Sequence, residues 1–419
     1  MVGTVGVIAS IPAQTMGVGV FTDILIVELE ISRMQLSLAY LVGTLLSGIL
    51  LPAGGRWIDA LGMRKMMVYS AIFMGLSLFL LAASDWIADL VAGSLPMIDP
   101  AWAAFAVVAT GFFFIRFWGQ GILTLAARNI VGKWFDRKRG FVVGVSGIAV
   151  SLTFSLSPTL LNWLVEWTGW RLSWVIMGLA LCLGFSIFAW AFARDNPEEC
   201  GLEMDGPGEV PVRLKTNPDL CIHHDFDRPE ALRSFAFWMF SLSFSWHALF
   251  FTAYTFHVVD IGKGLGLLRE EMFILFFYAS FISVAVNLGA GWISAHIRLK
   301  YLLAVQNSTL LLMALALLLA DPVVSKGIII VALGVGGGLW SNLFGTVYPR
   351  FFGRTHLGAV SGFAMSLTVV CSALGPYFFS VTELFLGSYM PAFWISIVVA
   401  LLMTILALFA DNPQRKLHL

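Results

Sequence analysis

Twelve long runs of apolar residues alternate with shorter polar segments along the whole chain. A helix needs about 20 residues to cross the apolar core of a bilayer, and each run reaches that length. Lipid does not tolerate unpaired backbone groups, so runs of this kind fold as helices. The pattern predicts membrane spans at residues 2–27, 33–56, 65–84, 102–131, 140–165, 171–193, 232–258, 270–295, 299–320, 326–348, 357–382 and 390–410.

Composition supports this interpretation. The chain is 59% hydrophobic and 12% charged, and its mean hydropathy is +0.87. Soluble domains carry roughly a quarter charged residues, about twice this share. A water-soluble fold is therefore excluded, and we predict an all-α integral membrane protein in contact with the lipid bilayer. The first run has neither a basic flank nor a cleavage pattern, so we expect no secretory signal.

The distribution of basic residues predicts an orientation. Eighteen of the 25 Lys and Arg residues fall in one set of loops, five fall in the opposite set, and two lie within the fourth span. By the positive-inside rule both termini are expected in the cytoplasm. We expect the cell membrane, which is the inner membrane if the source is a bacterium. The four cysteines show neither disulfide nor zinc spacing, and we expect no metal, cofactor or nucleic-acid partner.

A repeat divides the chain into two halves. Residues 195–231 form the longest polar segment, predicted to be a cytoplasmic linker between six spans in 1–194 and six in 232–419. The sixth span ends FARDNP and the twelfth ends LFADNP, while KWFDRKRG at 133–140 matches RFFGRTHL at an offset of 217. Parallel six-helix repeats are typical of secondary transporters, whose substrate site lies between the halves near the midplane. We predict two pseudo-symmetric six-helix bundles in a monomer.

The loop after the second span carries a recognisable motif. Its sequence GRWIDALGMRK resembles the G-x-x-x-D-x-x-G-x-R-K pattern of the major facilitator superfamily, and KWFDRKRGFVVG resembles a loop of the monocarboxylate and oxalate/formate branch. The resemblance implies that this loop and Arg128 latch the two halves together. The alternative is a topology anchor of positive charge. The motif positions are Gly55, Asp59, Gly62, Arg64 and Lys65.

Arg116 stands near the middle of the fourth span, in the stretch FFFIRFWGQGIL. A charge left in lipid there costs between about 3 and more than 10 kcal/mol, so the side chain is expected to face the protein interior or a watery cavity. Gln120 is predicted one turn further along the same face. At the repeat offset of 217, Gly119 and Gly121 correspond to glycines, whereas Arg116 corresponds to Leu333. A charge present in only one half indicates a functional role rather than a part of the repeated scaffold. The alternative is a structural arginine that donates to neighbouring backbone carbonyls.

The seventh span contains a second polar group. Ser243, His247, Tyr254 and His257 are spaced to share one helix face. Because histidine titrates near neutrality, His247 and His257 are the candidate carriers of a coupled proton, the alternative being plain hydrogen bonding. Further candidates for the lining of a binding cavity, each equally suited to holding helices together, are Gln14, Tyr40, Thr44, Asn287 and Asn342.

These observations favour a secondary transporter over an enzyme. The favoured substrate is a small organic anion, with Arg116 binding a carboxylate bidentately. The branch resembled typically uses an arginine in helix eight, and its oxalate exchangers add a lysine in helix eleven. Neither is found in spans eight and eleven here, which favours a monocarboxylate, with proton symport as a further hypothesis. The alternatives are efflux of apolar drugs or metabolites by antiport and, from another class, a membrane sensor; no nucleophile, metal or phosphate-loop motif supports catalysis.

Overall fold

The computed structural model describes residues 1–95, 97, 99–205, 220–319 and 321–417. Within that part of the chain the secondary structure is helical, and twelve helices are long and apolar enough to cross a membrane. Part of the predicted linker, residues 206–219, lies outside the described residues. The twelve spans are Val2–Gly19, Arg33–Leu61, Met63–Ala82, Pro100–Trp134, Arg139–Thr168, Trp170–Phe192, Phe235–Phe256, Glu270–Ile293, Leu299–Ala316, Pro322–Phe352, Leu357–Leu386 and Met390–Ala407.

Several spans extend beyond their predicted ends. Span two continues to Leu61 instead of residue 56, and span ten runs from Pro322 to Phe352 instead of 326–348. The added turns are more polar than the apolar runs, so hydropathy alone did not include them. Capping explains several starts: Ser32 caps span two in a capping box, and Asp99 and Asp321 cap spans four and ten.

Short helices connect the spans. Span one is followed by Thr22–Glu28, span three by Ser84–Ser94, and span seven by Val258–Gly264. A one-turn helix, Arg228–Leu232, precedes span seven, and 3₁₀ turns follow spans six and twelve at Pro197–Cys200 and Pro413–Leu417. The helix Ser84–Ser94 is too short and too polar to have been predicted from the apolar pattern.

Three spans are not uniform α-helices. Span one consists of Val2–Ala9, a 3₁₀ turn at Ile11–Ala13 and a short helix at Thr15–Gly19. Span four contains a π-helical segment at Arg116–Leu123, and span six contains another at Ala180–Phe185. Breaks and π-segments in helices are often found at functional sites. The place where spans one and four meet is therefore a candidate for such a site.

The described chain separates into two compact units. Unit one comprises Met1–Ile130, Ala149–Cys200 and Ser361–Ser366; unit two comprises Val131–Ile148, Gly201–Val360 and Leu367–Leu419. In unit one, Phe21 stacks on the fully buried Trp174 with ring centroids 3.8 Å apart. In unit two, Phe250, Tyr254 and Phe379 belong to one buried apolar cluster. The predicted boundaries at residues 194 and 232 stay a prediction.

Large apolar side chains also cover much of the surface. Among many examples, Trp167 is 74% exposed and Phe192 is 66% exposed. Soluble monomers avoid extended apolar patches, whereas a lipid-facing surface requires them. The exposed residues therefore fit a chain surrounded by bilayer.

Candidate functional site

The break in span one brings backbone carbonyls to the interior of unit one. Val2–Ala9 ends at Ser10, and Pro12 lies inside the following 3₁₀ turn, where its missing N–H and fixed φ interrupt the α-helical ladder. The freed carbonyl of Ala13 accepts a hydrogen bond from Arg116 Nη1 at 3.1 Å. Unwound carbonyls of this kind are characteristic of ion and substrate sites in transporters.

Span four meets this break with its π-helical segment. A Cβ at Gly119 would lie 2.6 Å from Met74 Sδ and even closer to Ala13 Cβ, so only glycine lets the two spans approach this closely. The carbonyl of Gly119 accepts from the Thr124 hydroxyl at 3.2 Å, across five residues of the widened turn. The α-helical geometry expected for Gln120 relative to Arg116 therefore does not apply, because both residues lie in the π-segment.

Arg116 is a buried cation with incomplete pairing. The side chain is 2% exposed, and its guanidinium carbon lies 5.0 Å from the centre of the Tyr40 ring. Its Nε is buried with no hydrogen-bond partner, and no Asp or Glu in the described ranges forms an ion pair with it. A buried charge without a counter-ion is costly, so this guanidinium is suited to receiving an anion.

Polar side chains surround the break. Gln14 Nε2 donates to Ser10 Oγ at 3.0 Å and to Thr124 Oγ1 at 3.3 Å, and Tyr40 bonds the Thr15 hydroxyl at 2.8 Å. Unit one thus contains four of the predicted site residues, which are Gln14 on span one, Tyr40 on span two, and Arg116 and Gln120 on span four. On spans two and four, two buried side-chain oxygens, Thr44 Oγ1 and Gln120 Oε1, have no hydrogen-bond partner among the described residues. These acceptors suit the hydroxyl groups of a small ligand.

The seventh-span candidates lie in unit two. His247 is 9% exposed, its Nδ1 is buried without a partner, and its ring lies parallel to that of Phe251. Span ten approaches at Gly336, where a Cβ would lie 3.0 Å from His247 Cε1 and 2.6 Å from Thr309 Oγ1. Tyr254 is fully buried and its hydroxyl also lacks a partner. The predicted face of span seven therefore points into the unit and is incompletely hydrogen-bonded.

Span nine contributes residues that the sequence analysis missed. Asn307 Nδ2 donates to Ser243 Oγ at 3.0 Å, and Gln306 is fully buried with both amide atoms unpartnered. The signal was present as the polar run QNST at 306–309 inside an apolar span. Buried amide groups without hydrogen-bond partners cost free energy and are uncommon in packed interiors. Span nine therefore carries an unusual polar cluster next to His247.

Asn287 and Asn342 hold neighbouring spans together within unit two. Asn342 Nδ2 donates to Gly140 O at 3.0 Å and to Asn287 O at 3.2 Å, and both side chains are buried. Spans five and eight touch backbone to backbone, since a Cβ at Gly140 would lie 2.6 Å from the carbonyl of Gly291. Their contacts indicate helix packing, which was the alternative to a ligand role.

His257 is fully engaged near the end of span seven. Its Nε2 lies 3.1 Å from Pro376 O and 3.2 Å from Ser380 Oγ, and its Nδ1 lies 3.1 Å from Tyr389 OH. Burial, together with the negative charges of Asp260 and Glu383, raises the pKa of Tyr389. This arrangement joins span seven to span eleven at the loop before span twelve.

The loop motif contacts the end of span six. The backbone N–H of Arg64 donates to Asp195 Oδ1 at 2.7 Å, and its Nε donates to Trp190 O at 2.8 Å. Gly62 has φ of 87°, and a Cβ there would collide with the Asp195 carboxylate. Asp195 belongs to the DNP repeat at the end of span six, so the two motifs form one structure. Of the remaining positions, Gly55 is buried, Asp59 and Arg128 are half-buried, and Lys65 is exposed.

Comparison with known proteins identifies the family. The family model described as Major Facilitator Superfamily matches residues 4–376. The probable galactarate/D-glucarate transporter GarP of Escherichia coli (strain K12) is 29% identical over 151 residues, covering 35% of this chain and 30% of that protein. The match thus spans less than a third of the relative's length.

Solved structures agree at the level of the fold. A bacterial homologue of the iron transporter ferroportin has a TM-score of 0.70 at 14% identity, covering 98% of both chains. The proton:xylose symporter XylE has a TM-score of 0.64 at 14% identity, covering 99% of this chain and 96% of that one. The human organic anion transporter MFSD10 has a TM-score of 0.64 at 16% identity, covering 97% of this chain and 98% of that one. The predicted all-α, twelve-span fold of two six-helix bundles is confirmed. The chain is a multi-pass membrane transporter and not an enzyme, and it belongs to the Major Facilitator Superfamily.

Proposed function

We propose that this chain is a secondary transporter that moves a small organic anion, favouring a monocarboxylate, by alternating access. The observation that carries the proposal is Arg116, a buried guanidinium with an unpartnered Nε beside the break in span one. A carboxylate would pair with it bidentately and supply the missing counter-charge. With one such cation identified, a single carboxylate is the better match.

The name of the sequence relative supports this class in part. GarP is described as a probable transporter of galactarate and D-glucarate, which are hydroxylated organic acids. The unpartnered oxygens of Gln120 and Thr44 are suited to accept hydrogen bonds from hydroxyl groups. We therefore extend the candidate substrates from simple monocarboxylates to hydroxylated ones.

Proton symport is a further part of the proposal. His247 has a buried, unpartnered Nδ1, and His257 connects three residues near the end of its span. Histidine is the residue type best suited to carrying a coupled proton, so these two residues are the candidate carriers. The expected setting is the cell membrane with both termini in the cytoplasm and the protein acting as a monomer.

Uptake into proteoliposomes tests the proposal. The panel contains labelled monocarboxylates, hydroxylated monocarboxylates, aldarates and neutral sugars, each measured with and without an inward proton gradient. Saturable uptake of carboxylates but not of neutral sugars is the expected result. Transport of apolar cations or neutral drugs without carboxylate uptake would replace the proposal with the efflux alternative. Binding without uptake of any kind would favour the sensor.

A further inference from the structure

A network of hydrogen bonds in unit one determines which end of the Gln14 amide is available to a ligand. The network joins the break in span one to the end of the π-segment in span four. At the break, the Ser10 hydroxyl donates to Val7 O at 2.7 Å. A hydroxyl carries a single hydrogen, so Ser10 Oγ can only accept hydrogen bonds from its other neighbours.

Thr124 is committed in the same way. Its hydroxyl has two acceptors within reach, which are Ser10 Oγ at 3.0 Å and Gly119 O at 3.2 Å. Whichever of them receives the hydrogen, Thr124 Oγ1 can only accept from a third partner. Ser10 is 0% exposed and Thr124 is 3% exposed, so both hydroxyls are shielded from solvent. The two side chains therefore offer a pair of buried acceptor oxygens.

Gln14 donates to both oxygens from its amino group. Its Nε2 lies 3.0 Å from Ser10 Oγ and 3.3 Å from Thr124 Oγ1, so each amide hydrogen has an acceptor. Turning the amide over would place its carbonyl oxygen against two acceptors and lose both hydrogen bonds. Oε1 itself makes no hydrogen bond to the part of the chain that the structure describes. The carbonyl oxygen is therefore the end of this half-buried side chain that is left for a ligand.

Gln120, the other glutamine of the site, is not fixed in this way. Its side chain makes no hydrogen bond to the described residues, and its Oε1 is buried. The Gln120 amide can therefore present either its donor or its acceptor end to a ligand. Gln14 can present only an acceptor, so it is the residue of the two that discriminates between ligands.

Gln14 stands between two residues that reach the surroundings of Arg116. The carbonyl of Ala13 accepts from Arg116, and the Thr15 hydroxyl bonds to Tyr40, whose ring centre lies 5.0 Å from the guanidinium carbon. A ligand group that donates to Gln14 Oε1 is either a hydroxyl or an amine. A protonated amine is repelled by the guanidinium, which leaves a hydroxyl.

We propose that Ser10 and Thr124 are positioning residues that make this site select a hydroxylated carboxylate over its oxo analogue. The proposal rests on the proposed role of Arg116 in binding the carboxylate. A hydroxyl donates to Gln14 Oε1, whereas an oxo group brings a second acceptor and no hydrogen. One neutral hydrogen bond corresponds to roughly three- to tenfold in affinity over the same acid without the hydroxyl.

Thermal-shift titrations of the full-length protein test the selection. The ligands are butyrate, its 2-, 3- and 4-hydroxy derivatives and the three matching oxo acids, so the position of the hydroxyl is scanned along one carbon chain. For wild type, at least one hydroxy acid should bind roughly three- to tenfold more tightly than butyrate. The matching oxo acid should bind no more tightly than butyrate.

Variants of the positioning residues test the cause. Ser10→Ala and Thr124→Val each remove one acceptor and allow the Gln14 amide to turn, so the preference for the hydroxy acid over the oxo acid should largely disappear. Thr124→Ser keeps the hydroxyl and should keep the preference. Ser77→Ala, which removes a hydroxyl that donates to Phe73 O elsewhere in unit one, is the matched control and should also keep it.

Two results would overturn the proposal while carboxylate binding stands. The first is equal affinity of wild type for the hydroxy and oxo acids, which needs no variant to fold. The second is an unchanged preference in both Ser10→Ala and Thr124→Val. If neither this series nor any carboxylate of the uptake panel binds to wild type, the proposed transport of organic anions is lost as well.

Discussion

Replacing Arg116 with glutamine should abolish anion binding without weakening the fold. The guanidinium has one hydrogen bond, to Ala13 O at 3.1 Å, and an unpartnered Nε. A carboxylate bound bidentately would gain two charge-assisted hydrogen bonds, each contributing about 1.5–3 kcal/mol. Their loss weakens binding by roughly 10²- to 10⁴-fold. Stability without substrate should stay the same or rise, because an uncompensated buried charge is removed.

Thermal unfolding with and without substrate measures both effects. At a substrate concentration about 100 times the wild-type Kd, wild type gains about 2.7 kcal/mol, whereas a variant that binds a hundredfold more weakly gains about 0.4 kcal/mol. Arg171→Gln is the control, since Arg171 pairs with Asp85 and Glu28. That variant should keep the full substrate-induced shift.

The opposite result would show that Arg116 is structural. Breaking a buried pair by removing one partner typically costs about 3–5 kcal/mol. If Arg116→Gln lowered the melting temperature of the substrate-free protein and kept the wild-type substrate shift, the anion-binding role would be refuted. Arg116→Lys refines the answer, because lysine keeps the charge but lacks the bidentate geometry, and binding should recover only in part.

Three further predictions concern other parts of the chain. His247→Gln should reduce the pH dependence of uptake, while His296→Gln at the surface should not; unchanged proton coupling in His247→Gln would remove it as a carrier. Asn342→Leu removes the buried amide hydrogen bonds to Gly140 O and to Asn287 and should lower stability by about 1–3 kcal/mol in a denaturation assay. Asn162→Leu, whose partner Glu166 is exposed, should leave stability unchanged. Burial is the largest influence on the pKa of Asp85 and raises it, but the hydrogen bond from Arg171, backbone hydrogen bonds and the charge of Arg171 together hold that pKa below its ordinary value of 3.8. The stabilisation that ionised Asp85 contributes is therefore present above that pH and lost as the pH falls through the lower folded-state pKa. Melting temperatures of wild type and Asp85→Asn should accordingly differ at neutral pH and converge in acid. Curves of melting temperature against pH that stay parallel would contradict this.

The spans were predictable because bilayer thickness imposes a minimum apolar length that a linear sequence displays directly. Arg116 was also predictable as an interior residue, since the cost of a charge in lipid leaves few alternatives. Hydropathy did not indicate the break in span one, although Pro12 lies within it. A proline near a helix end is compatible with an unbroken helix as well, so tertiary contacts decide between them.

The π-segment was not predictable for a similar reason. Its sequence, RFWGQGIL, has no composition that distinguishes it from an α-helix, and the wider turn coincides with the close approach of span one at Gly119. The contact between Arg64 and Asp195 was not predicted either, because the two residues lie 131 positions apart in the sequence. Contacts over such distances depend on packing that one sequence does not display.

Polar residues of span nine show where single-residue reasoning fails. Gln306, Asn307 and Thr309 are each compatible with ordinary helix packing, and only their position next to His247 and Ser243 makes them a group. The sequence supplied the residue types, and the fold supplied the neighbours.

The π-segment of span four has a mechanical consequence. A turn that holds one residue more than an α-turn can return to α-geometry by shifting a single residue along the hydrogen-bond ladder. That shift rotates everything on one side of the segment by about 100° and moves it along the axis by about 1.5 Å. Arg116 is the first residue of the segment, next to the carbonyl of Ala13. A rearrangement of this segment would therefore rotate the Arg116 guanidinium about the axis of span four without unfolding the helix.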